Sequence, residues 1–296
     1  MEVFSIRIAN DWADEAGDQK IRLLMQIRQG VRKMEKQRIV VKVGTSTLTG
    51  ESGALNFRTI DKLAQVLSSV HNDGNQVVLV SSGAIAVGVN KMRLPIKPQN
   101  VSMKQAAAAV GQCELMHIYD KCFGEYGNIV GQILLTAEDI AVKEKRRNLK
   151  NTFEALLENG MIPIVNENDS VSHAEIESEK KIFGDNDMLS AIVAKLCEAD
   201  RLIVLSDIEG LYNGNPKERS DVQLIHTVEE ITDELKELAA GSGSNRGTGG
   251  MITKLEAAEY ATLHGMDMHI ALGNDPENIY RIMEGEAVGT HFIKRY

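Results

Sequence analysis

The sequence has 296 residues, of which 43% are hydrophobic and 25% are charged, and its formal net charge is -9 at pH 7. This composition is typical of a globular protein with a sizeable core, and the acidic balance argues against a general nucleic-acid-binding surface. No apolar run approaches the roughly 20 residues that a membrane-spanning helix needs. The N-terminus lacks the pattern of a secretion signal, and the three cysteines are odd in number and far apart. We therefore expect a cytoplasmic protein without nucleic-acid or membrane partners.

Residues 1–36 differ in pattern from the rest of the chain. The stretch from Ile21 to Val31 has apolar residues at helical spacing with basic residues between them. This pattern predicts a helix that packs on the domain or contacts a partner or a membrane surface. Met34 is an alternative natural start, in which case the residues before it are not native. We treat residues 1–36 as an N-terminal extension and expect residues 37–296 to form one domain with two lobes, because no linker rich in Pro, Gly or Ser divides them.

From Arg38 onward, short apolar runs alternate with segments of helical periodicity. The apolar runs predict strands at Arg38–Val43, Gln76–Val80, Ile129–Leu134, Ile162–Val165, Arg201–Leu205 and Asp267–Leu272, the last core strand. The periodic segments predict helices at Ile60–Val70, Lys104–Phe123, Lys150–Glu158, Met188–Leu196 and Met251–Leu263. Loops are predicted at Gly210–Val222 and Gly241–Gly247. Because the strands are continuously apolar, we expect an α/β fold, a three-layer αβα sandwich with a mostly parallel central sheet.

Two polar clusters flank the connection between one predicted strand and the next helix. Asn166-Glu167-Asn168-Asp169 follows the strand that ends at Val165, and Gly184-Asp185-Asn186-Asp187 precedes the helix that begins at Met188. Ligands of open α/β sheets bind beyond the carboxyl ends of the strands, so both clusters are placed for a small polar substrate. Either cluster alone is equally compatible with turns and helix caps.

Three turns rich in glycine and hydroxyl groups, Gly44–Ser46, Ser81–Ala84 and Gly247–Gly250, predict a multiply anionic ligand. None matches a dinucleotide fingerprint or a P-loop. Lys42 interrupts an apolar strand just before the first turn, and Lys254 lies one turn into the helix after the last. Two lysines that converge on a phosphoryl group would offset its charge. The alternatives are a strand-end position for Lys42 and a solvated helix position for Lys254.

The remaining polar residues give weaker signals. Ser206-Asp207 ends a predicted strand, where an aspartate contacts a nucleotide ribose, orients a loop or caps the strand, and the local sequence does not separate these roles. The seven histidines show no metal-ligand spacing, and no Ser/His/Asp or Cys/His arrangement is evident. We therefore expect no metal-binding side chains.

In this order, the motifs resemble those of the amino acid kinase family. The resemblance extends from about Arg38 to Ile293 and rests on Val40–Ser46, Ser81–Ala86, Asn166–Asp169, Gly184–Asp187, Ser206-Asp207 with Gly210–Tyr212, and Gly247–Lys254. It implies an αβα sandwich whose N-terminal part binds glutamate and whose C-terminal part binds ATP. The motifs occur in the order seen in members that transfer the γ-phosphoryl group of ATP to the side-chain carboxylate of L-glutamate. Their product is L-glutamyl 5-phosphate in the first step of proline biosynthesis, and Mg²⁺ accompanies the nucleotide.

The resemblance also implies a role for each matched residue. Lys42 and Lys254 would contact the phosphates and the transferred group, and Asp187 would orient both lysines. Ser82, Asp169 and Asn186 would bind glutamate, with Asp169 next to its ammonium group. The ATP site would comprise Lys42, Ser206, Asp207, Thr248, Gly249, Gly250, Met251, Ile252, Thr253 and Lys254. A glutamate carboxylate is already ionised at neutral pH and needs no general base, which agrees with the lack of a catalytic histidine motif.

Some expectations from the family are less direct. The stretch Glu175–Ile182 is longer and more charged than is usual, and proline inhibits similar enzymes through this region, so sensitivity to L-proline stays open. The chain ends near Tyr296 without room for the C-terminal PUA domain of many relatives. The family implies a homo-oligomer, either a dimer or a tetramer. The alternatives in function are an acetylglutamate, aspartate or carbamate kinase, or a non-catalytic amino-acid-binding regulator on the same scaffold.

Overall fold

The structure is a computed structural model that describes residues 36–50, 53–172, 186–216, 219, 221–240 and 250–295. The chain divides into two units, Met1–Lys36 and Gln37–Tyr296, and the described residues after Lys36 belong to the second. The helix predicted at Ile21–Val31 lies outside the described residues, as do Glu175–Ile182 and the ATP-site candidates Thr248 and Gly249.

The strands of the described residues form one eight-stranded sheet. They are β1 (Arg38–Val43), β2 (Gln76–Val80), β3 (Val130–Leu135), β4 (Ile162–Glu167), β5 (Arg201–Ser206), β6 (Thr227–Val228), β7 (Asp267–Leu272) and β8 (Thr290–Phe292). Their order across the sheet is β3-β4-β2-β1-β5-β7-β8-β6. All paired strands are parallel except β7 and β8. The prediction of a mostly parallel sheet is therefore confirmed.

Helices cover this sheet. They are α1 (Thr45–Leu48), α2 (Phe57–Asn72), α3 (Ala84–Lys91), α4 (Val101–Glu125), α5 (Ala137–Ala141), α6 (Lys143–Glu158), α7 (Asn186–Leu196), α8 (Asp233–Ala240), α9 (Met251–Leu263) and α10 (Asn278–Met283). All five predicted helices are present. The strand predicted at Asp267–Leu272 is present as β7 with the predicted bounds, and a short strand that was not predicted, β8, follows it. Within the described ranges, no helix has both the length and the apolar character that crossing a membrane requires.

Alternate residues of the central strands face different layers of helices. Val40 belongs to a hydrophobic core shared with α6, α7, α8 and α9, whereas Ile39 and Val41 belong to a second core shared with α2, α4 and α10. Side chains two residues apart on a strand lie on the same face. Lys42 therefore faces the same layer as Val40, the layer that contains α7 and α9.

Helices α3 and α4 cross at two glycines. A Cβ atom added to Gly88 would lie 1.7 Å from the carbonyl oxygen of Ala107, and one added to Gly111 would lie 1.8 Å from that of Ala84. No side chain fits at either position, so the two helix backbones are in direct contact. Because α3 begins immediately after the turn Ser81–Gly83, this contact fixes the position of that turn.

Strand β8 joins two distant segments of the chain. The Thr290 hydroxyl accepts a hydrogen bond of 2.8 Å from the backbone N–H of Leu211 and donates one of 2.7 Å to the carbonyl oxygen of Ile225. Gly289, directly before β8, has a φ of 63°, and a Cβ there would lie 2.0 Å from the carbonyl oxygen of Ile270. The loop after β5 is therefore held by residues that come much later in the sequence.

Candidate active site

Two lysines and one aspartate form a buried cluster at the carboxyl edge of the sheet. Lys42 Nζ lies 2.6 Å from Asp187 Oδ1, and Lys254 Nζ donates a hydrogen bond of 2.9 Å to Asp187 Oδ2. Asp187 is 0% exposed, and the two lysines are 5% and 6% exposed. Neither alternative suggested by the sequence applies, because Lys42 does not reach out from a strand end and Lys254 is not solvated.

The position of each charged residue follows from the element that carries it. Lys42 is the fifth residue of β1, in register with Val80 of β2 and Val204 of β5, so it lies in the centre of the sheet. Asp187 lies in the first turn of α7 and Lys254 in the first turn of α9. The partial positive charge of a helix N-terminus favours a carboxylate there, which suits Asp187.

The charge state of Asp187 is set by two opposing effects. Burial alone would raise the pKa of its carboxyl group, but the charges of Lys42 and Lys254, together with their hydrogen bonds, outweigh burial and lower that pKa to about 2. The carboxylate is therefore ionised at neutral pH. One negative and two positive groups leave the cluster with a net positive charge.

Two of the three candidate glutamate-binding residues, Ser82 and Asn186, are hydrogen-bonded to each other beside the charged cluster. Asn186 Nδ2 donates hydrogen bonds of 2.7 Å to Ser82 Oγ and 3.1 Å to the carbonyl oxygen of Ser81. The hydroxyl groups of Ser81 and Tyr119 are 2.9 Å apart, and Tyr119 is fully buried. Since Asn186 precedes Asp187, the serine turn and the charged cluster are joined through adjacent residues.

Asp169 lines a cleft of about 420 Å³. The cleft also contains Ala84, the residue that begins α3 two positions after Ser82, and Gln112 from α4. Behind the cleft, Asn166 Nδ2 donates a hydrogen bond of 2.8 Å to Gln112 Oε1, and both side chains are buried. The first polar cluster of the sequence thus forms one wall of a cleft large enough for an amino acid.

The candidate ATP-binding residues in the described chain lie after β5 and at the start of α9. Ser206 is buried, and its hydroxyl donates a hydrogen bond of 3.1 Å to the exposed Asp207. Gly250 precedes α9 without a side-chain cap among the described residues, and the Thr253 hydroxyl donates to its carbonyl oxygen at 2.9 Å. Met251 and Ile252 are partly exposed in the first turn. The backbone N–H groups and the partial positive charge at a helix N-terminus favour a phosphate, so this turn is a suitable place for one.

Sequence reasoning missed Gln112 and Tyr119 as supports of this site. Both lie on α4 and both are buried, and each hydrogen-bonds a residue next to the candidate ligands. A glutamine at a core-facing helical position is a signal that could have identified Gln112, because buried amides require partners. Tyr119 gave no such signal, since a tyrosine on an apolar face is common.

Comparison with known proteins shows the family to which the chain belongs. A sequence model of the amino acid kinase family matches residues 37–272. The chain is 54% identical to the glutamate 5-kinase of Clostridium perfringens over 261 residues, which are 88% of this chain and 97% of that protein. It is 53% identical to the glutamate 5-kinase of Listeria innocua over 259 residues, which are 88% of this chain and 94% of that protein.

Solved structures show the same fold at low sequence identity. The carbamate kinase from Giardia lamblia bound to AMP-PNP matches with a TM-score of 0.62 and 14% identity, over 88% of this chain and 100% of that one. The UMP kinase from Bacillus anthracis matches with a TM-score of 0.57 and 15% identity, over 88% of this chain and 97% of that one. The chain belongs to the amino acid kinase family and, within it, to the glutamate 5-kinases.

Proposed function

We propose that the protein transfers the γ-phosphoryl group of ATP to the side-chain carboxylate of L-glutamate, which gives L-glutamyl 5-phosphate, the first step of proline biosynthesis. The observation that carries this proposal is the buried cluster of Lys42, Asp187 and Lys254. Taking charges out of water is costly unless each has a partner. Asp187 contacts both lysines here and holds them as two fixed cations that can bind an anionic group beside them.

The cluster suits phosphoryl transfer to a carboxylate. Both the acceptor carboxylate and the γ-phosphate are negative, so they repel each other on approach. In the transition state, charge spreads over the equatorial oxygens of the transferred group, and fixed cations stabilise that charge. Lys42 and Lys254 supply these cations, while Asp187 holds them in place without solvent reorganisation.

Glutamate is proposed to bind between the serine turn and the cleft. Ser82 and Asn186 would orient its carboxylates, and Asp169 would pair with its ammonium group. The distance between the bound amino acid and the cluster follows from chain geometry, because Asn186 and Asp187 are adjacent. Such positioning of the acceptor next to the transferred group is a large part of catalysis in bimolecular reactions.

ATP is proposed to bind on the other side of the cluster. Its phosphates would meet the N-terminal turn of α9, from Gly250 to Lys254, together with Thr248 and Gly249, and its nucleoside would lie near Ser206 and Asp207. We propose that Mg²⁺ enters with the nucleotide, because this ion keeps several waters and is usually bound through substrate phosphates. When bound, Mg²⁺ would add charge neutralisation to that of the lysines.

We also propose a homo-oligomer in which α4 contributes to the interface. Met103 and Val110 lie seven residues apart on the same face of α4 and are 37% and 36% exposed. Apolar side chains clustered at a surface are typical of an interface.

Cytoplasmic location is proposed because Cys113, Cys122 and Cys197 are free. Feedback inhibition by L-proline is a further proposal, based on the α-carboxylate and ammonium group that proline shares with glutamate.

The test is a direct assay with alternative acceptors. Purified protein is mixed with ATP, Mg²⁺, hydroxylamine and either glutamate, aspartate, N-acetylglutamate or carbamate, and ADP release and hydroxamate are followed. We expect turnover with glutamate alone and none in Lys42→Ala. Turnover with another acceptor would instead indicate a different member of the family. Binding of ATP and glutamate without ADP release would support the non-catalytic regulator.

A further inference from the structure

A second cavity shares no residue with the candidate active site. Its volume is about 860 Å³, compared with about 420 Å³ for the cleft at Asp169. It lies between the N-terminal half of α6, the C-terminal half of α7 and one residue of α9. The lining residues are Ile140, Lys143, Glu144, Arg146, Arg147, Lys150, Ile192, Lys195, Leu196, Glu198 and Tyr260.

The walls of this cavity are strongly basic. Five lining residues are lysine or arginine and two are glutamate, although the whole chain has a net charge of -9. Glu198 forms an ion pair with Lys150. The side chains of Lys143 and Arg147 make no hydrogen bond or ion pair with other described residues, and both are exposed. The cavity therefore holds positive charge that the described chain does not neutralise.

The position of these cations is unfavourable for the helix that carries them. Lys143, Arg146 and Arg147 lie in the first two turns of α6, where Glu144 is the acidic residue of the first turn. The N-terminus of a helix has a partial positive charge, so cations there lower the stability of the helix. Sequences depart from such local preferences chiefly at functional sites.

The floor of the cavity is apolar and includes one aromatic ring. Ile140, Ile192 and Tyr260 are partly exposed to the cavity, and Leu196 lies beside them. Lys195 Nζ lies 5.5 Å from the centre of the Tyr260 ring, so the ring surface and a cation are next to each other. Binding pockets for small molecules typically combine an apolar lining with a few polar groups that fix orientation.

We propose that this cavity binds a small organic anion that carries two or more negative charges on an aromatic or apolar body. The charges would pair with Lys143 and Arg147, and the body would lie on Ile192 and Tyr260. Helices α7 and α9, which carry Ile192 and Tyr260, begin at the charged cluster. Leu196 is nine residues after Asp187, about 14 Å along α7, and Tyr260 is six residues after Lys254, about 9 Å along α9. The site is therefore separate from the ATP and glutamate sites but contacts the helices that form them.

The experiment uses pyranine, a fluorescent pyrene that carries three sulfonate groups, as the probe. Its binding to the full chain is measured by fluorescence anisotropy with a non-hydrolysable ATP analogue and glutamate both present in excess, so that the active site is occupied. Tripolyphosphate, which has the charge but no apolar body, is tested as a competitor. We expect pyranine to bind under these conditions and tripolyphosphate to displace it only at concentrations about tenfold higher or more.

Two matched variants locate the site. Lys143→Ala/Arg147→Ala removes the two cations without partners, and we expect at least about tenfold weaker binding, because charge-assisted contacts are lost. Arg58→Ala/Lys121→Ala removes the same charges from exposed positions on α2 and α4, and we expect unchanged binding. The proposal is overturned if the wild-type chain does not bind pyranine, if the ATP analogue displaces it, or if both double variants bind it equally well.

Discussion

Asn186 and Ser82, which are 104 residues apart in the sequence, are joined by a hydrogen bond of 2.7 Å between Nδ2 and Oγ. Asn186 begins α7, and the next residue, Asp187, holds Lys42 and Lys254. Together with the bond from Asn186 to the carbonyl oxygen of Ser81, this bond connects the candidate substrate side of the site to its charged centre. If Asn186 or Ser82 is replaced, this connection is weakened, and the distance between acceptor and phosphoryl donor is less well defined.

The first prediction concerns this bond. We expect Asn186→Ala and Ser82→Ala each to raise the KM for glutamate by about 10- to 100-fold, because each removes hydrogen bonds to a charged substrate. The KM for ATP should change little. The rise in KM for glutamate in the double variant, expressed as a free energy, should be smaller than the sum of the rises in the two single variants, because the residues are coupled. Strict additivity of the two losses would contradict the coupling.

The second prediction concerns the role of Lys254. We expect Lys254→Ala to lower kcat by about 10²- to 10³-fold, because the lysine stabilises charge that develops in the transition state. Glutamate binding, measured by calorimetry without ATP, should weaken far less. Lys236→Ala serves as the control. Lys236 lies on α8 and forms an ion pair with Glu259, which is on the same helix as Lys254 but away from the site. Equal losses in kcat and glutamate affinity would rule out this role for Lys254.

The third prediction concerns the stability of the charged cluster. Asp187→Asn removes the carboxylate that both buried ammonium groups contact, so we expect the free energy of unfolding to fall by about 3 to 5 kcal/mol. Replacing the whole cluster, as in Lys42→Met/Asp187→Leu/Lys254→Met, should recover much of this stability without any activity. Urea denaturation gives both values. If the triple variant is no more stable than Asp187→Asn, the loss arises from packing rather than from unpaired charge.

The fourth prediction concerns the crossing of α3 and α4. We expect Gly88→Ala and Gly111→Ala to destabilise the fold by about 1 to 3 kcal/mol or more, since the added Cβ would overlap backbone atoms. Both should also raise the KM for glutamate, because the serine turn moves with α3. Gly124→Ala is the matched control on α4, where a Cβ meets no atom within 4 Å. It should leave the KM unchanged and raise stability by up to about 1 kcal/mol.

The fifth prediction concerns pH. Burial, with the charges of His291 and Arg201, lowers the pKa of His269 to about 2. The unfolded chain takes up a proton on this histidine near pH 6.5, whereas the folded chain does not. Below that pH the unfolded state binds more protons, so the free energy of unfolding falls as the pH falls, by about 1.4 kcal/mol per pH unit for this one group.

Replacement of the histidine tests this slope. Between about pH 6 and pH 4, the slope of the unfolding free energy against pH should be smaller in His269→Gln than in the wild-type chain. The difference should correspond to the uptake of about one proton on unfolding. Denaturant titrations of the wild-type chain and the variant at a series of pH values measure both slopes. A slope in His269→Gln equal to that of the wild-type chain would show that another group takes up the proton.

Most of the fold was predictable from local sequence, because the central strands are short apolar runs and the long helices have clear periodicity. β1, β2 and α9 have the bounds or nearly the bounds that the pattern predicts. The missed elements have physical reasons. β6 and β8 have two and three residues, too few to show a pattern, and α3 is almost uniformly apolar because α4 covers it.

The site was predictable in its members but not in its contacts. Lys42 follows Val40 by two residues, so the face it lies on can be inferred from the strand pattern. Nothing local indicates that α7 and α9 lie side by side above β1, which is what brings Asp187 between the two lysines. The role of Asp187 rested on resemblance alone, whereas those of Lys42 and Lys254 were also inferred from their places beside glycine-rich turns. The closeness of the three side chains supports the proposal that they act together.

The hydrogen bonds of Thr290 also have a consequence for synthesis of the protein on the ribosome. Leu211 and Thr290 are 79 residues apart. At the usual elongation rate of about 5 to 20 residues per second, Thr290 is synthesised roughly 4 to 16 seconds after Leu211. During that time the segment from Leu211 to Ile225 lacks its anchor, while the strands from β1 to β5 can already pair. The nascent chain is therefore expected to acquire its glutamate side first and its nucleotide side only after β8 has emerged.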